Sequence, residues 1–228
     1  MQVLFTKIRQ KNLDEVKRIL GKHPEAVNEP SGPKPKKDHG QSTLQVALKI
    51  GAIEIADYLI DHGADVNFME AEDDDPGPRM PVLFDSIIGT IMSLCYKHYK
   101  VSDESLRIMK RLLDAGADPN AITPYGEDAL NCAVHHTRQI TNSKTIYSEV
   151  QDEAWNKLGK IMDLLIDYGF DYEAWADRHL YPEPHSGPTS RELYFAPANQ
   201  DTDLWLGSWQ EMRDFMQDYF GKRNIEFT

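Results

Sequence analysis

The chain has few cysteines and no long hydrophobic run, and both shortages limit what it can be. Only Cys95 and Cys132 occur among its 228 residues; both fall at predicted core positions of helices, and they do not form a C-x-x-C pair. This usage indicates a reducing compartment and argues against a disulfide framework. The longest apolar stretch, residues 87–96, is too short to span a membrane, and the N-terminus lacks the apolar core of a signal peptide. We therefore expect a cytoplasmic protein.

Positive charge is scarce as well. The chain has 25 Lys and Arg against 37 Asp and Glu, which gives a formal net charge of −12 at pH 7. An acidic surface is repelled by nucleic-acid phosphates and by anionic membranes, so neither is an expected partner. A basic protein partner is compatible with this charge, although acidity also serves solubility alone. The length and the hydrophobic content of 40% indicate a single domain with a sizeable core.

Motifs for catalysis or cofactor binding are missing too. No segment matches a nucleotide-binding loop, a G-x-S-x-G elbow or a zinc-protease helix. His135 and His136, with His98 and Cys132, offer metal-ligand atoms, but adjacent histidines on a helix diverge by about 100°. The acidic run at 70–75 lacks the spacing of a calcium loop. We expect no cofactor, no bound metal and no enzymatic activity.

The most informative stretch is residues 40–67, which reads GQSTLQVALKIGAIEIADYLIDHGADVN. Ser42 is a candidate N-cap for a short helix over residues 44–48. Apolar residues then recur at helical spacing from 53 to 60 and predict a second helix with one broad apolar face. Gly63 follows where a helix end needs a left-handed residue. Such a helix pair cannot bury its apolar face alone, so it implies stacked neighbours.

This stretch resembles an ankyrin repeat. Ser42 stands for the usual Thr of the family pattern, and Thr43 and Gln45 depart from the usual Pro and His. Matches at many fixed offsets are a specific signal, and here they are Gly40, Leu44, Ala47, Gly51, Ile55, Leu59, Gly63, Ala64, Asp65, Val66 and Asn67. The resemblance implies an all-α solenoid that binds proteins through a concave face.

Other parts of the chain repeat pieces of the same pattern. Residues 8–28, 112–120 and 164–173 resemble further units, and a degenerate last unit has Thr189 as its candidate N-cap. We therefore predict an all-α ankyrin-repeat solenoid of about five helix-pair units, in which the third, fourth and fifth are elongated. The whole chain, 1–228, forms one domain in this prediction, with units at about 1–28, 29–67, 68–120, 121–173 and 174–228.

The spacing of the marker glycines locates the extra length. Gly63, Gly116 and Gly169 are 53 residues apart, whereas a standard repeat has about 33 residues. Counting from the inner-helix leucines places the additions around 95–103 and 138–153, either as helix extensions or as loops. The turns that precede the second and third inner helices, which we call fingers, are also longer than the family standard.

All four tryptophans lie in the last third of the chain, at Trp155, Trp175, Trp205 and Trp209. Terminal repeats must be atypical because one side of the stack ends there. We predict that these side chains seal the end of the stack, in preference to a ligand-binding aromatic cage.

The resemblance also implies where a partner binds: on the finger tips and on the exposed side of the inner helices. Aromatic, Met and His side chains at such positions favour contact with a partner, although each alone could be an ordinary solvated residue. Carried over in register, the set is Asp38, His39, Gln41, Lys49, Ile50, Met80, Ile88, Tyr125, Glu127, His135 and His136. The acidic third finger adds Glu72, Asp73, Asp74 and Asp75, which would attract a basic partner and speed encounter.

The predicted function is a non-catalytic, monomeric protein–protein interaction module. A stand-alone acidic chain of this size resembles small bacterial ankyrin proteins, some of which are thought to neutralise toxins. One alternative is an enzyme whose site is built from the insertions at 95–103, 138–153 and 174–208, using His179, His185 or the carboxylates nearby. Another is a structural subunit with an apolar self-interface.

Overall fold

A computed structural model describes residues 2–70, 79–143, 145–179, 187–197 and 200–227, with the backbone alone for 200–208. Within these ranges the chain is mainly helical. The α-helices are α1 (Gln2–Arg9), α2 (Leu13–Leu20), α3 (Thr43–Lys49), α4 (Ile53–Asp61), α5 (Val82–Met92), α6 (Tyr99–Asp114), α7 (Ala129–Thr141), α8 (Gln151–Asp167), α9 (Tyr172–Ala176), α10 (Ser190–Tyr194) and α11 (Gln200–Gly221). Short 3-10 helices span Pro24–Asn28, Lys36–Asp38, Ser93–Tyr96 and Ser148–Val150.

Most of these helices form pairs that stack along the chain. Contacts join α1 to α2, α3 to α4, α5 to α6, α7 to α8 and α10 to α11. The first, or inner, helices also contact one another, since α3 packs against α1 and α5, and α5 packs against α7. Isolated β-bridges close the bases of the third, fourth and fifth fingers, at Met69–Pro81, Ile122–Asp128 and His179–Thr189. The predicted all-α solenoid of helix pairs is confirmed.

The extra residues of the third and fourth pairs lengthen both helices. Helices α5 and α6 have 11 and 16 residues, against 7 and 9 in α3 and α4. Helices α7 and α8 reach 13 and 17 residues. The connector between the paired helices also grows, from 50–52 in the second pair to 93–98 and 142–150 in the next two. The sequence left helix extension and loop open, and the structure shows a contribution from both.

The start of α3 explains both departures from the family pattern. Ser42 and Gln45 form a capping box, in which the Gln45 N–H donates to Ser42 Oγ at 3.1 Å and the Ser42 N–H donates to Gln45 Oε1 at 3.0 Å. The Thr43 hydroxyl donates to the carbonyl of Val27 at 2.6 Å. Gln45 therefore secures the helix start, while Thr43 ties the second unit to the first.

The marker glycines have the backbone conformation that the sequence predicts. The φ angles of Gly63, Gly116 and Gly169 are 81°, 91° and 89°. A Cβ added at any of them would meet no atom within 4 Å. Glycine is therefore favoured here by the left-handed backbone that ends the helix and not by a lack of space.

An asparagine at the end of each of three units bonds the next unit to it in the same way. The amide of each donates to the carbonyl of the next marker glycine at 2.9, 2.9 and 3.0 Å, and its oxygen accepts a backbone N–H at 2.7, 2.7 and 2.8 Å. We call this series the asparagine ladder. Its members are Asn28 with Gly63 and Asp65, Asn67 with Gly116 and Asp118, and Asn120 with Gly169 and Asp171.

Aromatic side chains cover the C-terminal end of the stack. Trp175 is fully buried, and its ring stacks on one ring of α10 and one of α11, with centroids 5.9 Å away in each case. Trp209 is buried as well, and Trp155 is half-buried. The Trp205 side chain lies outside the described residues. The three described tryptophans pack as the predicted seal requires.

The two cysteines differ in their surroundings. Cys132 is buried in α7, as predicted for a core position, whereas Cys95 is only half-buried. Cys95 lies in the 3-10 helix Ser93–Tyr96 and not in an α-helix, so its predicted core placement is wrong. The added connector turns the chain outward at this point. Both thiols are free.

The ladder makes Asn67 a stabilising residue although its side chain is exposed. We expect Asn67→Ala to lower the free energy of unfolding by about 1–2 kcal/mol, because two hydrogen bonds between units are lost. Equilibrium urea unfolding followed by circular dichroism measures this. Asn142→Ala, at an exposed helix end, is the matched control and is expected to stay within about 0.5 kcal/mol of the native chain. Equal stability of the two variants would contradict a structural role for the ladder.

Candidate functional site

The residues predicted to contact a partner lie on the fingers and on the inner helices α3, α5 and α7. Lys49, Tyr125 and His135 are exposed, and Tyr125 keeps 45% of its surface accessible. His136 is half-buried, so none of the predicted Tyr125, His135 and His136 lies fully buried between units. The other half-buried members of the set are His39, Ile50, Met80, Ile88 and Glu127.

Two residues of the predicted set are buried, which corrects their assignment. Asp38 has 7% of its surface exposed and forms an ion pair with Arg9 of α1. Gln41 is also 7% exposed. The long second finger folds back through the 3-10 helix Lys36–Asp38, so Asp38 contacts the first unit instead of facing solvent. Neither side chain is exposed as the predicted contact surface requires.

The acidic tip of the third finger falls outside the described residues. Glu72, Asp73, Asp74 and Asp75 all belong to it. The base of the finger is described: the Arg79 Nε–H donates to the carbonyl of Glu70 at 3.1 Å, and the Met80 N–H donates to Glu70 Oε2 at 3.3 Å. These bonds hold Glu70 against Arg79 and Met80 at the base of the finger.

Lys49, Glu70 and Asp85 form a charged cluster where α3 and α5 meet the third finger. Lys49 Nζ lies 2.7 Å from Glu70 Oε1 and 3.9 Å from Asp85 Oδ1. The Asp85 side chain is only 1% exposed. Burial raises the pKa of Asp85 to about 7, Glu70 adds to the rise, and Lys49 opposes it. The Asp85 carboxyl group therefore changes its charge near neutral pH.

A second acidic pair lies at the start of α7. Asp128 is buried, accepts the Asn131 N–H at 2.8 Å, and forms an ion pair with Arg178 at 2.8 Å. Burial raises the pKa of Asp128, and these two contacts oppose the rise. Glu127 is half-buried beside it, and burial followed by the Asp128 charge raises the pKa of Glu127. In the described parts of the chain the Glu127 carboxylate has neither a cation nor a hydrogen-bond donor.

The two histidines of α7 are neutral at pH 7. Their ring centroids lie 5.2 Å apart with the planes at 87°. Burial, followed by the neighbouring His135, lowers the pKa of His136 to about 4, and burial also lowers the pKa of His135. His135 Nε2 lies 2.9 Å from the amide nitrogen of Gln139. Neutral imidazoles can stack and form hydrogen bonds with a partner but contribute no charge to this face.

Of the two histidines named for the enzyme alternative, the structure describes one. His179 Nδ1 lies 2.7 Å from the carbonyl oxygen of Gly187, at the base of the fifth finger. His185 is outside the described residues. Within the described ranges, no group of three or more His, Cys, Asp or Glu side chains is arranged to hold a metal ion.

Glu70 and Asp85 are the site residues that sequence reasoning missed. Asp85 carried a usable signal: it is a charged residue inside the apolar run 82–88, and a buried charge usually has a partner or a role. Glu70 has no comparable signal in the sequence, because it begins an acidic run whose members cannot be told apart by pattern. Its contact with Lys49 depends on the path of the third finger.

Comparison with known families matches residues 39–70 to the Ankyrin repeat family. The matched region covers the end of the second finger, helices α3 and α4, and the start of the third finger. No curated protein matches the chain. Among the described residues, no helix is both long and apolar enough to cross a membrane.

The raised pKa of Asp85 predicts a pH-dependent stability. Between the ordinary pKa of 3.8 and about 7, Asp85 is protonated in the folded chain but ionised in the unfolded chain. The free energy of unfolding therefore falls as the pH rises through this window. We expect Asp85→Asn to reduce this fall, whose slope is at most about 1.4 kcal/mol per pH unit for one group. Urea unfolding at a series of pH values measures it.

The control for this prediction is Glu226→Gln, which removes an exposed carboxylate near the C-terminus. This variant is expected to keep the slope of the native chain. The same slope in all three proteins would show that Asp85 does not titrate within this window.

Proposed function

Since the chain is an ankyrin-repeat protein, we propose that it is a non-catalytic, monomeric module that binds a basic protein through its fingers and inner helices. Ankyrin repeats generally serve protein–protein interaction. The fingers and helices α3, α5 and α7 carry the proposed surface, and the partner contributes cationic side chains to it.

The unpaired carboxylate of Glu127 is the observation that carries this proposal. It is half-buried beside Asp128, yet Arg178 pairs with Asp128, and no cation among the described residues pairs with Glu127. A partially buried carboxylate next to another carboxylate is unfavourable until a positive charge approaches it. A Lys or Arg of the partner at this position would lower the pKa of Glu127 and gain a charge-assisted hydrogen bond.

Two exposed side chains near Glu127 in sequence supply a second kind of contact. Tyr125 precedes it in the fourth finger, and His135 follows on α7. Tyr is enriched among the residues that dominate binding energy, because it offers a large rigid surface and a polar tip. In this proposal Tyr125 and His135 anchor the partner, while Glu127 selects for positive charge.

In this proposal the acidic tip of the third finger raises the rate of association with the partner. Asp73, Asp74 and Asp75 lie three to five residues beyond Glu70, whose position beside Lys49 places the base of that finger next to α3. Negative charge at the tip attracts a basic partner before contact is made. A narrower version, in which the partner is a toxin, rests only on analogy with small bacterial ankyrin proteins.

The proposal is tested by capture with the purified protein from its native host. We expect the native chain to retain a protein of net positive charge. Retention should fall at least tenfold with Tyr125→Ala/His135→Ala, because truncating a central Tyr costs about 2 kcal/mol. Glu127→Gln should reduce it severalfold. Quantitative mass spectrometry of the retained protein gives the ratios.

Glu226→Gln is the matched control for this experiment, since it neutralises an exposed carboxylate far along the chain from the proposed surface. Melting curves of all variants establish that they fold. Equal retention by every variant would exclude this surface, and an acidic retained protein would exclude the proposed charge selection.

The steering role of the third finger has its own test. Replacing Asp73, Asp74 and Asp75 with Asn should slow association with the captured partner several-fold at low salt and change dissociation little. Stopped-flow kinetics at two ionic strengths separate these rates. Association that responds neither to salt nor to the substitution would contradict electrostatic steering while leaving the contact surface itself in place.

A further inference from the structure

The lengthened third pair projects beyond the second pair on the side away from the fingers. Tyr99 begins α6 17 residues before the marker Gly116, whereas Ile53 begins α4 10 residues before Gly63. At a rise of 1.5 Å per residue, the seven added residues extend α6 by about 10 Å. The ends of the third and fourth pairs therefore project past the connectors of the first two pairs. We call this projecting edge, Tyr96–Lys100 with Ile146, the ledge.

A groove runs along the foot of this ledge. Its volume is about 380 Å³, and its walls come from the first three units. Leu13, Ile53 and Val101 give it apolar surface, and Lys11 and Lys100 line it as well. Space of this size accommodates a large side chain of a docking segment.

The edge of the ledge exposes apolar side chains. Tyr96, Tyr99 and Ile146 have 73%, 45% and 76% of their surfaces accessible. An ion pair between Lys97 and Glu149 joins their two segments. Clustered exposure of this kind marks interaction surfaces more often than an ordinary solvated face. The stack does not require it, because the second unit closes with only the connector 50–52.

The charge of the ledge is opposite to that of the chain as a whole. Residues 96–100 read YKHYK and contain no acid, whereas the whole chain has a formal charge of −12. Glu149 already pairs with Lys97, but Lys100 has no ion pair within the described residues. Of the two acids in the groove, Glu104 pairs with Arg107 at 2.8 Å, and Glu54 is exposed.

From this combination we propose that the ledge (Tyr96–Lys100 with Ile146) and its groove form a second docking surface, on the side opposite the fingers. Its occupant is an acidic protein segment that inserts an aromatic or aliphatic side chain into the groove and places carboxylates beside Lys100 and Lys11. This surface shares no residue with the one proposed for a basic partner and does not depend on it.

A random peptide library displayed on phage provides the probe. Selection is run on the intact native protein and, in parallel, on Tyr96→Ser/Tyr99→Ser/Lys100→Glu. Peptides enriched only on the native protein are expected to carry net negative charge around one large apolar residue. A synthetic copy of the most enriched peptide then gives a dissociation constant by calorimetry.

The single variants separate charge from packing. Lys100→Glu should weaken binding of that peptide at least tenfold, whereas Lys160→Glu, an equally exposed lysine on α8, should change it less than twofold. Both positions are on the surface, so melting curves should remain close to that of the native protein. Equal effects of the two substitutions would overturn the proposal.

Other occupants would also overturn it. Dimerisation in sedimentation velocity that Tyr96→Ser abolishes would assign the ledge to a second copy of the chain. Binding to phosphatidylserine vesicles without enrichment of acidic peptides would assign it to a membrane surface. Failure to enrich any peptide that distinguishes the native protein from the triple variant would leave the ledge without the proposed occupant.

Discussion

The asparagine ladder is the constraint on which the register of the stack depends. Each rung joins the end of one unit to the helix-ending glycine of the next, using both the amide nitrogen and the carbonyl oxygen of one side chain. The geometry repeats within 0.1 Å across three interfaces. Each marker glycine combines a positive φ with a carbonyl that accepts the asparagine amide, so helix end and rung meet at one residue. Apolar packing between inner helices then follows from a register already set at the finger side.

Above this ladder, two buried carboxyl groups belong to the inner helices and their starts. Asp85 is buried within α5 and has Lys49 3.9 Å away, whereas Asp128 is buried at the start of α7 and pairs with Arg178 at 2.8 Å. The energetic cost of burying them indicates that the finger-side face is not optimised for stability alone.

Sequence patterns predicted the features that recur in each repeat. They missed the contacts that depend on how the fingers fold back onto other units. Gly63, Gly116 and Gly169 could be located because a helix ending with a left-handed residue has a local signature. The placement of Asp38 was wrong because the second finger is longer than a standard one, and its fold back onto Arg9 is a tertiary contact without a local pattern. Glu70 was missed for the same reason. The length of each insertion was readable from the glycine spacing, but its division between helix and connector was not.

The growth of the third and fourth pairs has a consequence for how such a chain can diversify. Their additional turns lie at the end of the helices remote from the asparagine ladder, so they change neither its bonds nor the pitch between units. The finger side of the stack is therefore constrained by the ladder, whereas the opposite side can accept longer helices and connectors. Substitutions in those extensions can create new surface without changing the contacts between units. The segment Tyr96–Lys100 is one such extension.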